Sequence, residues 1–463
     1  MKTAKDIFLK PVSRIKGGVL VKDNKTTFDS VPKSLSVSRV VIPLLQHCTK
    51  PASAIVAVGD KVKKGQLIGD AGDATARIHA SVSGTVTDIS VRKIAPKEKA
   101  VCVTIESDGN DEWLETIAPP TVTDAESLID AVFNAGLAGM GGAGFPTHIK
   151  LRSVYEAKAK TLIINSIECE PYITVDYRAC IDFGDDIIRC IEALIKHIGF
   201  ERVLIAEEDK KEKGDEQALI ERIEKSEYKD IIKIVRLKPK YATGAEKMLI
   251  KALLGISLPE GKLPSDASCM VMNTSTAAAF GNYLLTGRPL VSRCITVAGS
   301  AIKEPANIIA PLGALISDII DFVGGFEAKP YKLIIGGPMM GHAVDSTDYP
   351  VTKTTNGILA FAEKMARVKT ETSCIRCGKC AEVCPMRIVP TDIYKAATDY
   401  GKPDINELVA LNAQACILCS CCAYICPAGI PLVKGLDIGK RLVAKAKAKG
   451  AGNNGKCKES CDI

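Results

Sequence analysis

A chain of 463 residues exceeds one ordinary core, and a prior of about three domains follows. With 46% apolar and 25% charged residues it has an ordinary soluble composition, and no apolar run approaches the ~18 residues needed to span a bilayer, so membrane association is expected only through partners. The net charge of +7 is concentrated at the end, where residues 434–463 hold eight lysines and arginines against three acids, and a near-neutral body argues against nucleic-acid binding.

Residues 1–108 read as an N-terminal extension followed by short β-rich pieces. AIVAVGDKVKKGQLIG (54–69) and HASVSGTV (79–86) are divided by Gly59-Asp60, Gly65, Gly69 and Gly84, each suited to a tight turn. This stretch resembles the barrel-sandwich hybrid of biotinyl and lipoyl carriers. The intervening DAGDATARI (70–78) contains no lysine, so the carrier function is absent and a structural or docking module is left. His79 is expected to be packed or to stabilise a turn.

Pro119-Pro120 marks a boundary, and residues 120–275 read as an α/β domain. Thr123 to Glu126 has the spacing of a capping box opening a helix through about Asn134, with Leu128, Ile129, Val132 and Phe133 on one face. A glycine loop follows, with five glycines in residues 136–144. Gly139, Gly141 and Gly144 match G-x-G-x-x-G, but a helix precedes the loop where a dinucleotide fingerprint needs a strand. The loop, with Gly142, still suits close approach of backbone N–H groups to an anion, and Lys150 adds a point charge; the alternatives are a cofactor-phosphate cradle and a flexible loop.

A strand over Thr161–Ile167 ends in Glu168-Cys169-Glu170. Carboxylates at the C-terminal end of a parallel strand sit where such sheets bind ligands, and Glu168 and Glu170 are the candidate catalytic groups, the alternative being a solvated loop. Strands and helices then alternate over Arg202–Ala206, Asp215–Glu224, Ile231–Leu237 and Ala245–Leu254, the last preceded by a turn from Tyr241. Residues 285–332 suggest a small β-grasp with one helix. Residues 333–362 supply strand-and-turn pieces around Gly336-Gly337 and Asn356-Gly357, and Met339-Met340 reads as core packing.

Residues 365–432 hold two copies of one cysteine spacing. Cys374, Cys377, Cys380 and Cys384-Pro385 form the first; Cys416, Cys419, Cys422 and Cys426-Pro427 form the second. This is the run of bacterial two-cluster ferredoxins, in which the fourth cysteine of each run ligates the other [4Fe–4S] cluster. One cluster would take Cys374, Cys377, Cys380 and Cys426; the other would take Cys384, Cys416, Cys419 and Cys422. Structural zinc poorly explains a second consecutive CxxC step followed by x3-Cys-Pro, occurring twice. Disulfides fit no better, because the N-terminus lacks a secretory signal and eighteen cysteines suggest a reducing cytosol. Cys421 reads as a spare thiol or a substitute ligand. Residues 433–463 form a basic, partly disordered tail, either solubilising or drawn to anionic lipid or an acidic partner, and Cys457 and Cys461 within it are expected to ligate nothing.

GLAGMGGAGFPTHIKL (136–151) and IECEPYITVDYR (167–178) resemble the flavin-binding part of the NADH-oxidising subunit of respiratory complex I, and PLGALISDIIDFVGGF (311–326) resembles its SLBB β-grasp module. The module order over about residues 30–432 is similar to that of the C subunits of Rnf electron-transport complexes. The resemblance implies a multidomain α/β and α+β chain: a barrel-sandwich hybrid, a Rossmann-like FMN-binding domain, an SLBB module and a two-[4Fe–4S] ferredoxin domain.

It further implies FMN held by Gly139, Gly141, Gly142, Gly144, Phe145 and Lys150, with Asn165, Gly336, Gly337, Asn356 and Gly357 completing the pocket. Glu168 and Glu170 would lie near flavin and nicotinamide. NADH would be the substrate, and electrons would pass on to two clusters. The partners would be membrane-integral and iron–sulfur subunits and, indirectly, ferredoxin, at the cytoplasmic face of a membrane across which Na⁺ or H⁺ is driven. A soluble flavin/iron–sulfur reductase of the cobalamin-reductase type and a flavin-less electron-wire scaffold are the rival readings.

Overall fold

The computed structural model describes residues 7–210, 214–366, 369–398 and 403–452. Two short strands, β1 (Phe8–Leu9) and β2 (Lys33–Ser34), lie in an N-terminal segment that threads through the molecule. The barrel-sandwich hybrid follows as β3 (Arg39–Pro43), β4 (Ser53–Ala54), β5 (Lys61–Val62), β6 (Leu67–Asp70), β7 (Ile78–His79), β8 (Gly84–Ala95) and β9 (Glu98–Ser107). Its two sheets, ordered β3-β9-β8-β5 and β4-β6-β7, close over Val40, Ile42, Ile68, Ile78, Val86 and Ile105.

Helix α1 (Ala125–Asn134) begins one residue later than the TVTDAES spacing predicts. Asp124 is the N-cap: its carboxylate accepts the Ser127 N–H at 2.9 Å, while the Asp124 N–H donates to Ser127 Oγ at 3.0 Å. The capping box is therefore Asp124/Ser127, the shorter serine doing what Glu126 is expected to do.

The α/β domain continues through α2 (Thr147–Glu156), β10 (Thr161–Ser166), α3 (Val175–Asp182), α4 (Gly184–Ile198), β11 (Arg202–Glu208), α5 (Gly214–Ile223), β12 (Ile232–Leu237), α6 (Glu246–Leu254), β13 (Cys269–Asn273) and α7 (Thr274–Thr286). Its sheet is wholly parallel in the order β1-β12-β11-β10-β13. Alternation assigns the two faces: Leu162, Ile164, Val203, Ile205, Met270 and Met272 pack towards α1, α2, α4 and α7, while Ile163, Leu204, Ala206 and Val271 pack towards α6.

A second sheet is built from β14 (Ser292–Ala298), β15 (Ala306–Pro311), then after α8 (Ile316–Phe322) from β16 (Lys332–Ile335), β17 (His342–Val344) and β18 (Gly357–Phe361). Its order is β17-β16-β18-β14-β15-β2. The segment that the sequence sets apart after residue 332 thus completes the same sheet as the β-grasp strands.

The C-terminal module carries α9 (Glu363–Ala366), α10 (Lys379–Glu382), α11 (Pro390–Thr398), α12 (Ile405–Ala410), α13 (Cys421–Ile425) and α14 (Leu432–Gly452). Helix α14 contains most of the basic segment, and it buries Leu432, Leu436 and Val443 against Ile393, Ala397 and Leu408. Residues 453–463, with Cys457 and Cys461, lie outside the described residues.

Candidate functional site

The glycine loop is closed on itself and tied down from outside. Gly139 N–H donates to the Phe145 carbonyl at 2.9 Å, and Met140 is held on both sides, its N–H by Thr276 Oγ1 at 2.9 Å and its carbonyl by the buried Arg293 at 2.7 Å. Two of its glycines answer to packing. A Cβ on Gly141 would come 2.9 Å from Cβ of Asn273, and one on Gly144, at φ +70°, would come 2.7 Å from Thr354. At Gly142 nothing lies within 4 Å of where a Cβ would point, and residues 141–143 are exposed. The exposed backbone therefore offers amide dipoles to an anion without a side chain in the way, which is the fit a flavin phosphate requires. Phe145 beside it is 40% exposed. Lys150, on the next helix, donates to Glu246 and to the Val271 carbonyl, each at 3.0 Å, so its charge is already partnered.

The C-terminal edge of the parallel sheet faces this loop. Asn165 donates to the Gly244 carbonyl at 2.9 Å, and its Oδ1 accepts the Ile167 N–H at 3.1 Å. Glu168 is buried and accepts the N–H groups of Asp176 (2.9 Å) and Tyr177 (3.3 Å) at the start of α3; burial raises its pKa to about 7. Glu170 accepts the N–H groups of Met339 and Met340 at 3.0 and 2.9 Å, pinning the turn after β16; burial pushes its carboxyl up as well. Both candidate carboxylates are thus acceptors for backbone.

Gly337 is glycine because a Cβ there would lie 2.3 Å from Glu170 Oε2, and Gly357 because its Cβ would lie 2.3 Å from Ile173 Cδ1. Gly336 adopts φ +91° in the turn, and Asn356 Oδ1 lies 3.8 Å from its absent Cβ. The structure brings these four residues together with Glu170 at one corner.

Sequence reasoning missed the supports. Asp176 accepts from Asn273 Nδ2 (2.7 Å) and Ser275 Oγ (2.6 Å), tying the start of α7 to α3, and Asn273 also caps α7. A run of hydroxyls after a strand, NTST at 273–276, was the available signal. Lys353 had none. Its side chain is wholly buried, donates to the carbonyls of Gly136 (2.7 Å) and Arg77 (2.6 Å), and has its pKa lowered to about 7 by burial. His79 is buried beside it, as its packed reading requires, with its pKa lowered to about 3.

The cysteines surround two cavities. One, of about 290 Å³, is lined by Cys374, Cys377, Cys380 and Cys426; the other, of about 20 Å³, is lined by Cys384, Cys416, Cys419, Cys421 and Cys422. The fourth cysteine of each run therefore faces the other run's cavity. The two runs fold alike at an offset of 42 residues: Arg376 and Leu418 both adopt φ 52°, Gly378 and Ser420 φ 74° and 64°, and Arg387 and Gly429 φ 57° and 64°. The amides of Arg376 and Leu418 each donate to a sulfur, Cys374 and Cys416 respectively, at 3.4 Å. Four sulfurs around a hollow, with N–H groups turned onto them, suit an iron–sulfur cubane. Among the described residues no three His, Cys, Asp or Glu side chains gather around a single-ion point.

The second run abuts the flavin-type domain. Tyr241, Ala242 and Val19 pack with Cys419 and Cys421, and Cys169, Met339, Val383 and Ile417 join them. The Tyr241 hydroxyl is buried in this seam without a hydrogen-bond partner.

Four family models match the chain: the RnfC barrel sandwich hybrid domain over residues 13–110, the Nuo51 FMN-binding domain over 132–281, the SLBB domain over 294–343 and the 4Fe-4S dicluster domain over 373–430. The chain is 38% identical to the C subunit of the proton-translocating ferredoxin:NAD(+) oxidoreductase complex of Clostridium ljungdahlii, over 83% of this chain and 86% of the relative. It is also 38% identical to the C subunit of the Na(+)-translocating ferredoxin:NAD(+) oxidoreductase complex of Acetobacterium woodii, over 94% of this chain and 98% of the relative. A solved NAD+-reducing [NiFe]-hydrogenase in the H2-reduced state superposes at a TM-score of 0.47 with 18% identity, over 75% of this chain and 71% of that one.

Proposed function

The chain belongs to the family of C subunits of ion-translocating ferredoxin:NAD(+) oxidoreductase (Rnf) complexes, and from that premise we propose that it is the module at which NAD(H) and FMN meet the complex's iron–sulfur carriers. The observation that carries the reading is the pairing of two cysteine-lined cavities, each reached by the other run's fourth cysteine, with an open glycine loop beside the C-terminal edge of a parallel sheet.

Gly139, Gly141, Gly142, Gly144 and Phe145 would hold FMN, with Lys150, Asn165, Gly336, Gly337, Asn356 and Gly357 around it. Cys374, Cys377, Cys380 and Cys426 would ligate one [4Fe–4S] cluster, and Cys384, Cys416, Cys419 and Cys422 the other. When bound, a flavin supplies the exchange between a two-electron hydride donor and one-electron carriers. The chain's own residues do the positioning. Thr276 and Arg293 fix the loop, Glu168 holds the start of α3, and Glu170 ties the turn after β16 to that edge. Glu168 and Glu170 therefore act on the site by setting its backbone.

No helix of the described residues is long and apolar enough to cross a membrane. The assembly's other members accordingly provide the membrane attachment, and this one sits peripherally on the cytoplasmic face, where NADH is available.

Anaerobically purified protein tests the reading. The expected result is flavin absorbance that bleaches with NADH, about eight irons per chain and two interacting reduced-cluster signals by low-temperature EPR. Protein containing zinc in place of iron, or colourless and unresponsive to NADH, overturns it.

A further inference from the structure

The two cysteine runs share a backbone but not an environment. In the second run Ile417, immediately after Cys416, packs into the seam with Tyr241 and Val19. Its twin Ile375, immediately after Cys374, is 66% exposed. All of residues 374–379 are exposed, and Cys374 and Cys377 are the exposed members of a ligand set whose counterparts Cys416 and Cys419 are buried. One copy of the loop is covered by the flavin-type domain; the other is bare.

The bare copy also differs in charge. Where the covered loop has Leu418 and Cys421, the bare loop has Arg376 and Lys379. The wall of its cavity adds Lys395 against one acid, Asp392. Across residues 369–398 the bases Lys369, Arg376, Lys379, Arg387 and Lys395 outnumber Glu371, Glu382 and Asp392. An exposed isoleucine lining one cavity with Arg376, Lys379 and Lys395, next to exposed metal-ligand-type cysteines, has the apolar centre and charged surround of a small electron-transfer interface.

We propose that this face docks an acidic one-electron carrier protein of the assembly, which seats an apolar side chain on Ile375, sets its carboxylates against Arg376 and Lys379, and covers the Cys374/Cys377 loop as the Tyr241 seam covers Ile417 and Cys419. The proposal rests on the iron–sulfur reading of these cysteines. Charge complementarity suits a partner that must arrive quickly and in one orientation, and burial of the twin loop shows the contact that this backbone accepts.

The test uses the purified holo-complex. A zero-length carbodiimide is expected to join Lys379 to an Asp or Glu of another, cofactor-bearing protein of the assembly. Arg376→Glu/Lys379→Glu is expected to lose that cross-link and to weaken retention of that protein roughly tenfold at low salt, with iron and flavin per chain unchanged. The control Lys97→Glu/Lys99→Glu, on the exposed β8–β9 hairpin, is expected to retain it fully. The proposal is overturned if Lys379 links only within its own chain or to a second copy. Equal weakening in both charge-reversed proteins, or in neither, overturns it as well. Absence of iron in the wild-type chain would instead sink the cluster reading itself.

Discussion

The ammonium of Lys353 reaches the carbonyl of Gly136 at 2.7 Å, so the glycine loop starts from a lysine that no water touches. Replacing it with methionine keeps the bulk but leaves the carbonyls of Gly136 and Arg77 without this donor. A loss of ~1–3 kcal/mol is expected at about pH 8. The lysine's pKa falls from 10.5 unfolded to about 7 folded, so the unfolded chain binds the extra proton between those values. Wild type should therefore gain stability over the variant as pH rises from about 7 towards 10.5, with a flat difference below that window. Denaturant titrations across this range check the sign; a gap that widens as pH falls would contradict it.

Gly142→Val is expected to abolish flavin retention while leaving the thermal midpoint of the flavin-free protein nearly unchanged, because its side chain enters open space. Gly141→Val should instead lower the midpoint, since its Cβ meets Asn273 at 2.9 Å. Flavin per chain and thermal unfolding, measured on both, separate the two effects.

Crossed ligation makes a pairing prediction. Cys384→Ala should match Cys419→Ala, and Cys426→Ala should match Cys380→Ala, each pair losing the same half of the iron and the same EPR signal. Cys421→Ala should retain both clusters. Loss of the same EPR signal in Cys384→Ala as in Cys380→Ala would restore one site per run.

Gly17 occupies φ +74° with its missing Cβ 2.7 Å from the Cys384 carbonyl carbon. Gly17→Ala adds roughly 1–2 kcal/mol of backbone strain, plus a clash with main chain that no rotamer relieves. The iron–sulfur module should loosen and be released by limited proteolysis. Gly59→Ala is the control: its φ is +98°, but nothing lies within 4 Å, so strain without clash should leave the module attached.

Sequence revealed what depends on spacing and local pattern. The two cysteine runs, the parallel-strand segments and the glycine loop are all periodic or compositional features, and the structure gathers them as neighbours. It hid what depends on pairing between distant segments. Lys353 carries no local signal, because the Gly136 carbonyl it holds lies 217 residues away. Glu170 reads as a candidate catalytic carboxylate because the amides it accepts belong to residues 169 and 170 positions away. The basic tail reads as low-complexity because the apolar stripe of α14, Leu432, Leu436 and Val443, is sparse among lysines.

Residues 7–34 pair β1 with β12, donate Gly18 N–H to the Val383 carbonyl at 2.7 Å, form reciprocal hydrogen bonds between Val19 and Tyr241, and end as an edge strand beside β15. This segment, made before every strand it pairs with, thus finds its last partner only after residue 383 has been synthesised. Such long-range closure is slow: β1, Val19 and β2 pair as the middle modules fold, and the Gly18 N–H is satisfied only when the C-terminal module is in place. The thread thereby ties the C-terminal module to the α/β domain through Gly18 and Val19, neighbours that face opposite partners.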